Sequence, residues 1–189
     1  MGRIPSGMKI YLSNYKLNLM KSLFKILHSL KHTTTMKSLD IAKDIVYLCN
    51  NQNIKFNNTK IQKLLYLFVG FCLINDIDEI KNIDEKPRLW PYGPVFPNVH
   101  KKYESIKNYS GDKIISTDNE KIKNILTETV KQWGPIPAGK LSAWTHIEDS
   151  PWDILYREGA KWNTEMDLDL IMIYFFRRVE NVIRDENLI

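Results

Sequence analysis

The most constraining feature of the chain is an almost uniformly apolar stretch, NTKIQKLLYLFVGFCL, from Asn58 to Leu73. At about 3.6 residues per turn, the apolar side chains form one face of the helix and extend around both sides of it. On the opposite side, little beyond Lys63 and Gly70 interrupts the apolar surface. A surface helix keeps a broad polar face, so a helix that is apolar nearly all round is expected to be enclosed by its neighbours. The sequence therefore predicts a buried central helix, capped by Asn58 or Thr59.

Small residues on apolar positions indicate where this helix is packed closely. Gly70 costs roughly 1 kcal/mol in helix propensity relative to alanine, and we interpret it as a packing glycine beside another segment. Cys49 and Cys72 also fall on apolar positions of predicted helices, where a free cysteine behaves as a small buried hydrophobe. Neither cysteine belongs to a C-x-x-C pair, so a metal site built on them is not expected.

Helix signals recur along the rest of the chain. Capping residues precede helical periodicity at further positions, which are Ser38, Asn98, Asp118, Ser150 and Asp167. Between residues 75 and 85, isoleucines at a spacing of three indicate one loose helical turn or a packed loop. A chain of 189 residues suits one domain with its own core. We therefore expect a mainly α-helical, compact single-domain bundle around the buried central helix.

Charge is distributed unevenly. Residues 1–35 hold six basic residues and no acidic one, which leaves 21 basic and 22 acidic residues for the rest of the chain. We therefore predict a basic N-terminal extension over residues 1–35 and a nearly neutral domain over residues 36–189, without the electrostatic footprint of a nucleic-acid-binding domain. The extension is either a basic amphipathic helix that lies on a membrane or a partner, or a loosely held segment outside a domain that begins at Met36.

A proline-rich aromatic loop, RLWPYGPVFP, runs from Arg88 to Pro97. Its prolines remove backbone donors, fix φ angles and push the preceding residues toward extended geometry. Such a loop can present aromatic side chains to a partner at little entropic cost, or it can plug one end of the core. The short apolar pair Ile114–Ile115 predicts a strand that would form a small β-hairpin with Arg88–Trp90.

Four motifs in this order resemble the Panacea family, also called SocA-like or DUF4065. They are KIQKLLY at residues 60–66, WPYGPV at 90–95, LSAWTH at 141–146 with SPW at 150–152, and the apolar helix at 171–175. The resemblance covers essentially residues 38–182. It implies an antitoxin of bacterial or phage origin that neutralises a cognate small protein toxin by direct binding. One branch of the family resembles a proteolytic adaptor, which adds a protease or a chaperone as a further partner.

On this basis we expect a partner-binding surface that the aromatic loop and nearby motif residues form or support. Its predicted members are Lys63, Tyr66, Trp90, Tyr92, Gly93, Pro94, Val95, Trp144, Thr145 and His146. The role of the N-terminal extension does not follow from the resemblance. Operator DNA is an alternative partner, bound through the basic extension by a protein that represses its own operon.

Patterns typical of catalysis are incomplete. His146 has no second histidine at helical spacing to complete a metal site, and Ser142 lies outside any G-x-S-x-G nucleophile elbow. No glycine-rich phosphate loop is present in the sequence. We therefore predict no catalytic residue, no metal and no cofactor, and we interpret Thr145 and His146 as polar residues that fix a turn. Because no continuous apolar run is long enough for a bilayer, we expect a soluble, cytoplasmic protein without a membrane partner.

Overall fold

The computed structural model describes residues 35–186, and within them nine helices and one two-stranded hairpin follow one another. In chain order these are α1 (Ser38–Asn51), α2 (Asn58–Ile74), α3 (Asp78–Lys81), β1 (Arg88–Trp90), β2 (Gly93–Val95), α4 (Pro97–Lys101), α5 (Tyr103–Ile106), α6 (Glu120–Trp133), α7 (Ala138–Trp144), α8 (Pro151–Arg157) and α9 (Leu168–Glu186). The predicted mainly α-helical fold is confirmed. None of the helices in this part of the chain combines the length and apolar character needed to cross a bilayer. The predictions for residues 1–34 lie outside the described residues.

Helix α2 is the centre of the fold, as its composition predicts. It packs against α1, α6, α7 and α9 and against strand β2. Ile61, Leu64 and Phe68 have no exposed surface. The helix begins one residue earlier than expected, because the side chain of Asn57 accepts a hydrogen bond from the amide of Lys60 at 2.9 Å. Asn57 has the extended backbone of an N-cap, whereas Asn58 is already helical.

The first two turns of α2 also bury polar side chains, and each of them reaches a backbone group of another element. Lys60 Nζ donates to the Gly134 oxygen at 2.7 Å, and Lys63 Nζ donates to the Pro94 oxygen at 3.0 Å. Gln62 Oε1 accepts from the Phe96 amide at 2.7 Å. A buried polar group is tolerated when it is hydrogen-bonded, so these bonds let the central helix remain enclosed at its polar end.

Gly70 lies where α2 and α9 come closest. The ring of Phe175 lies directly over it, and a Cβ atom at position 70 would overlap that ring. Phe175 in turn makes edge-to-face contacts with Tyr66 and Phe71 at centroid distances of 5.7 and 5.4 Å. Gly70 is therefore a packing glycine, as its sequence context predicts.

Two predicted helix caps are confirmed. Ser150 accepts from the amide of Asp153 at 3.2 Å, and Asp167 Oδ1 accepts from the amide of Asp169 at 2.7 Å. At the other three positions the cap is a neighbouring residue, namely Lys37, Phe96 and Asn119 in place of Ser38, Asn98 and Asp118. Ser38 is instead the first helical residue, and its amide donates to Asp84 Oδ1 at 2.8 Å.

The predicted pairing of Arg88–Trp90 with Ile114–Ile115 is wrong. Strand β1 pairs in an antiparallel register with β2, with Trp90 opposite Gly93 and only two residues between the strands. Strand β1 therefore pairs with the extended segment that is nearest to it in the sequence. The amides of Ile115 and Ser116 instead donate to the buried carboxylate of Asp44 at 2.9 and 2.8 Å.

The other edge of β1 is covered by residues 163–166. The amide of Leu89 donates to the Thr164 oxygen at 2.8 Å, and Arg88 forms an isolated bridge with Glu165. The hairpin is thus held from both sides in a fixed position next to the start of α2.

Candidate functional site

The β1–β2 turn is an exposed feature on a buried support. Tyr92, in the turn, is 78% exposed, while Gly93, Pro94 and Val95 of β2 are buried. The hairpin lies beside the first turns of α2, where β2 packs against that helix. The turn therefore projects an aromatic side chain next to a strand that belongs to the interior.

Four backbone oxygens of the hairpin are each contacted by a side chain from a helix or from the loop after α7. We call these side chains the hairpin clamp. The contacts are Lys63 Nζ to Pro94 O at 3.0 Å, Ser142 Oγ to Tyr92 O at 2.7 Å, His146 Nε2 to Pro91 O at 3.2 Å, and Trp152 Nε1 to Trp90 O at 2.7 Å. Helices α2, α7 and α8 and the loop after α7 contribute to the clamp. It fixes the turn by its backbone and leaves the side chain of Tyr92 free to contact another molecule.

His146 lies between two carbonyl oxygens. Its Nδ1 atom is 2.6 Å from the oxygen of Ser142, and its Nε2 atom is 3.2 Å from the oxygen of Pro91. A neutral imidazole donates through one nitrogen, whereas the protonated ring donates through both. The ring also contacts Trp152 edge-on at a centroid distance of 4.0 Å, which joins two members of the clamp.

Gly93 is required by the same arrangement. Its φ is +97°, a region that favours glycine, and a Cβ atom at this position would overlap the Thr145 hydroxyl and the Lys63 amine. Thr145 is 2% exposed, and its hydroxyl donates to the Ser142 oxygen at 2.7 Å. The structure thus brings three predicted site residues from distant parts of the sequence, Lys63, Gly93 and Thr145, to one point behind the turn.

Tyr66 and Trp144 lie deeper, in an aromatic cluster around Phe175. Tyr66 is 1% exposed, and burial raises the pKa of its phenol well above the ordinary value. Trp144 is half-buried and contacts Phe175 and Trp133 at centroid distances of 5.6 and 5.5 Å. Because Tyr66 is inaccessible to a partner in this structure, it can support the site from inside but cannot contact a partner.

Lys63 also lines a cavity of about 340 Å³ between the hairpin and the start of α2. The side chain is 1% exposed. Burial lowers the pKa of its amine from 10.5 to about 7, because the charged form loses its hydration. Sequence patterning identified Lys63 as a break in an apolar helix, and in the structure its side chain forms part of the wall of this cavity.

Three aromatic rings, one of which is Trp152 of the clamp, were not predicted as site residues. Trp152, Tyr156 and Trp162 stack in sequence, with centroid distances of 5.1 Å between the first two and 6.1 Å between the last two. We call them the aromatic ladder. Tyr156 and Trp162 are 55% and 53% exposed. The one available signal was the spacing of Trp152 and Tyr156, which are four residues apart and share a face of α8.

The ladder and the hairpin are connected through polar contacts. Trp152 bonds the Trp90 oxygen, and Trp90 Nε1 donates to Asn163 Oδ1 at 3.2 Å, next to Trp162. The ladder is therefore connected to the hairpin through both the backbone and the side chain of Trp90. Within residues 35–186, no three His, Cys, Asp or Glu side chains cluster closely enough to hold a metal ion.

Comparison of the chain with protein-family models, with curated proteins and with solved structures finds no match. The resemblance to the Panacea family therefore stays a prediction from the four ordered motifs.

Proposed function

We propose that the protein is an antitoxin that neutralises a protein toxin by stoichiometric binding, with the hairpin turn and the aromatic ladder as its contact surface. The observation that carries the proposal is the 78% exposure of Tyr92 on a turn whose backbone is bonded by the hairpin clamp. Aromatic residues dominate the binding energy of protein interfaces. An exposed aromatic residue on a fixed backbone is typical of such contacts.

The clamp lowers the cost of binding. A mobile loop loses conformational freedom when a partner immobilises it, at roughly 1 kcal/mol for each ordered side chain. Here the turn backbone is already ordered by side chains that bond the oxygens of Trp90, Pro91, Tyr92 and Pro94. Most of the interaction energy of Tyr92 with a partner is therefore available for affinity.

The geometry also accounts for the motifs that suggest the antitoxin class. Lys63 comes from the first motif, the hairpin is the second, and Ser142, His146 and Trp152 come from the third. In the structure these separate motifs form one unit, the clamped hairpin. A common role for the motifs supports the interpretation of this region as the functional surface.

Growth rescue tests the proposal. The product of the adjacent gene is expressed alone and together with this protein, and growth and complex formation are measured. We expect the adjacent product to arrest growth, the full chain to restore it, and the two proteins to co-purify. Absence of both rescue and co-purification contradicts the antitoxin assignment.

Substitution then tests the surface. Tyr92→Ala is expected to weaken rescue, whereas Phe176→Ala is expected to leave it unchanged. Phe176 is a suitable control because it is 55% exposed and lies near Leu73 and Ile74, at the opposite end of α2 from the hairpin. Circular dichroism confirms that both variants are folded. Equal rescue by the two folded variants contradicts a role of the turn in binding.

A further inference from the structure

We infer that the cavity between the hairpin and α2 receives an uncharged aromatic side chain of the protein partner. The source of this side chain rests on the proposed function, whereas the chemistry of the cavity does not. The inferred contact has two parts, which are Tyr92 as the projecting residue and the cavity beside it as the recess.

The cavity has room for one ring. Its volume is about 340 Å³. An apolar cavity of about 150 Å³ is already large enough to bind benzene. On the hairpin side the wall is formed by Trp90, Pro91, Tyr92 and Val95. A space of this size and lining therefore accommodates a monocyclic or bicyclic ring.

Polar side chains on the α2 side of the wall are hydrogen-bonded to one another or to the backbone. Gln62 Oε1 accepts from the Phe96 amide at 2.7 Å, and Gln62 Nε2 donates to Asn58 Oδ1 at 3.3 Å. Asn58 Nδ2 in turn lies 3.1 Å from His100 Nδ1. A charged group in the cavity would lose its hydration and find few free partners, so an uncharged occupant is favoured.

Lys63 and Trp90 also line the cavity, but their polar atoms are bonded elsewhere. Lys63 Nζ donates to the Pro94 oxygen at 3.0 Å, and Trp90 Nε1 donates to Asn163 Oδ1 at 3.2 Å. Neither Pro94 nor Asn163 lines the cavity. These two side chains therefore contribute their carbon surface to the wall, as a long amphipathic side chain does when its polar end is bonded at another place.

Rings in the wall favour an aromatic occupant over an aliphatic one. Trp90 and His100 are in contact at a centroid distance of 5.0 Å, and both line the cavity together with Tyr92. Tyr92 and His100 are exposed, so their rings are accessible from outside. Aromatic pairs gain energy beyond the area that they bury when they meet edge-on or offset. A ring that enters the cavity can make such pairs.

The position of the cavity favours a protein partner as the source of the ring. Its hairpin wall includes Tyr92, the exposed residue of the proposed contact surface. The hairpin clamp bonds the backbone oxygens of Trp90, Pro91 and Tyr92, so this wall is formed before a partner arrives. Filling a preformed recess costs little conformational entropy, and the aromatic residues that dominate interfaces occupy such pockets. A partner that contacts Tyr92 lies at the opening of the cavity.

The first test titrates 3-methylindole, the tryptophan side chain, into the wild-type full chain and follows amide and indole N–H signals by NMR. We expect the signals of Trp90 and Tyr92 to shift with saturation. Indole-3-acetate and tryptamine carry the same ring with a negative and a positive charge. Each should bind more weakly than 3-methylindole by about threefold or more, because the cavity offers a charge few partners. Absence of 3-methylindole binding, or tighter binding of a charged probe, overturns the proposal.

A variant that fills the cavity locates the binding site. Thr59 is half-buried and lines the cavity from α2, so Thr59→Phe places a ring inside it. Thr127→Phe is the matched control, because Thr127 is half-buried in α6 and does not line the cavity. Thr59→Phe should weaken 3-methylindole binding by about tenfold or more, and the control should not. Unchanged binding by a folded Thr59→Phe variant overturns the assignment; if that variant does not fold, the shifts of the wild-type signals locate the site.

Competition identifies the occupant. The adjacent gene product is added to the wild-type protein loaded with 3-methylindole, and we expect it to displace the probe. Thr59→Phe should also weaken the complex by about tenfold relative to Thr127→Phe, an effect that mere covering of the opening does not require. A complex that leaves 3-methylindole bound assigns the cavity to a free small molecule and overturns the inference, while the proposed function stands. Absence of any complex contradicts the proposed function and the partner as occupant, whereas binding of 3-methylindole to the free protein still supports the chemistry of the cavity.

Discussion

Replacing Lys63 by methionine is expected to change how stability depends on pH. The side chain is 1% exposed, and burial lowers the pKa of its amine to about 7 from 10.5. Between pH 7 and pH 10.5, the Lys63 amine keeps its extra proton in the unfolded chain and has released it in the folded protein. Stability therefore rises with pH in this range, and the full cost of the buried charge is present below pH 7. Methionine has a stem of similar length without the amine, so the variant lacks this contribution.

The magnitude follows from the two pKa values. One pH unit between the two pKa values corresponds to roughly 1.4 kcal/mol of unfolding free energy, and the change from pH 6 to pH 8.5, of which only the part above about pH 7 counts, amounts to about 2 kcal/mol. Methionine also removes the hydrogen bond to the Pro94 oxygen, and the part of that bond that does not depend on protonation shifts the variant's stability without altering the slope.

Urea denaturation followed by circular dichroism at pH 6, 7, 8 and 8.5 measures this slope. The wild type and the control variant Lys140→Met, which removes an exposed lysine of α7, should gain about 2 kcal/mol over this range relative to Lys63→Met. Parallel pH profiles for the wild type and Lys63→Met would refute the assignment of a displaced pKa to this amine.

Two further predictions concern the core. Gly70→Ala places a methyl group against the ring of Phe175 and should destabilise the protein by roughly 1–3 kcal/mol in urea denaturation. Gly139→Ala, with open space around position 139, should be neutral or slightly stabilising. Equal stabilities of these two variants contradict the close approach of α2 and α9 at Gly70. Burial raises the pKa of Cys49 to about 11 and that of Cys72 further, so both thiols should resist a disulfide reagent at pH 8 until urea unfolds the chain. Rapid modification of either thiol in the native protein contradicts their burial.

Local chemistry made much of the helical framework predictable. The all-round apolar character of residues 58–73 predicts an enclosed helix, and Ser150 before Pro151 predicts a helix start that the structure confirms. These signals act within a few residues, where propensity and capping decide the outcome. Where two adjacent residues can both cap a helix, the sequence does not decide between them, and the structure uses Asn57 and Asn119 in place of Asn58 and Asp118.

The stiff turn was predictable from the sequence, but its contacts with the rest of the chain were not. The proline-rich loop indicates a stiff turn, yet its strand partner was assigned to Ile114–Ile115 because pairing depends on the tertiary arrangement. The roles of Ser142 and Trp152 could not be derived, since each bonds a backbone oxygen 50 or more residues away. Sequence periodicity contains no information on such side-chain contacts with the backbone. The exposure of Tyr156 and Trp162 depends in the same way on how α8 packs against the hairpin.

The central claim is that the clamped turn presents Tyr92 as a contact for a protein partner. Its most direct test is the dissociation constant of the purified complex with the adjacent gene product, measured by calorimetry for the wild type, Tyr92→Ala and Phe176→Ala. At a hot spot Tyr92→Ala should cost about 2 kcal/mol or more, or roughly a 30-fold loss of affinity, while Phe176→Ala should change affinity by less than about threefold. An unchanged dissociation constant for folded Tyr92→Ala would contradict the account.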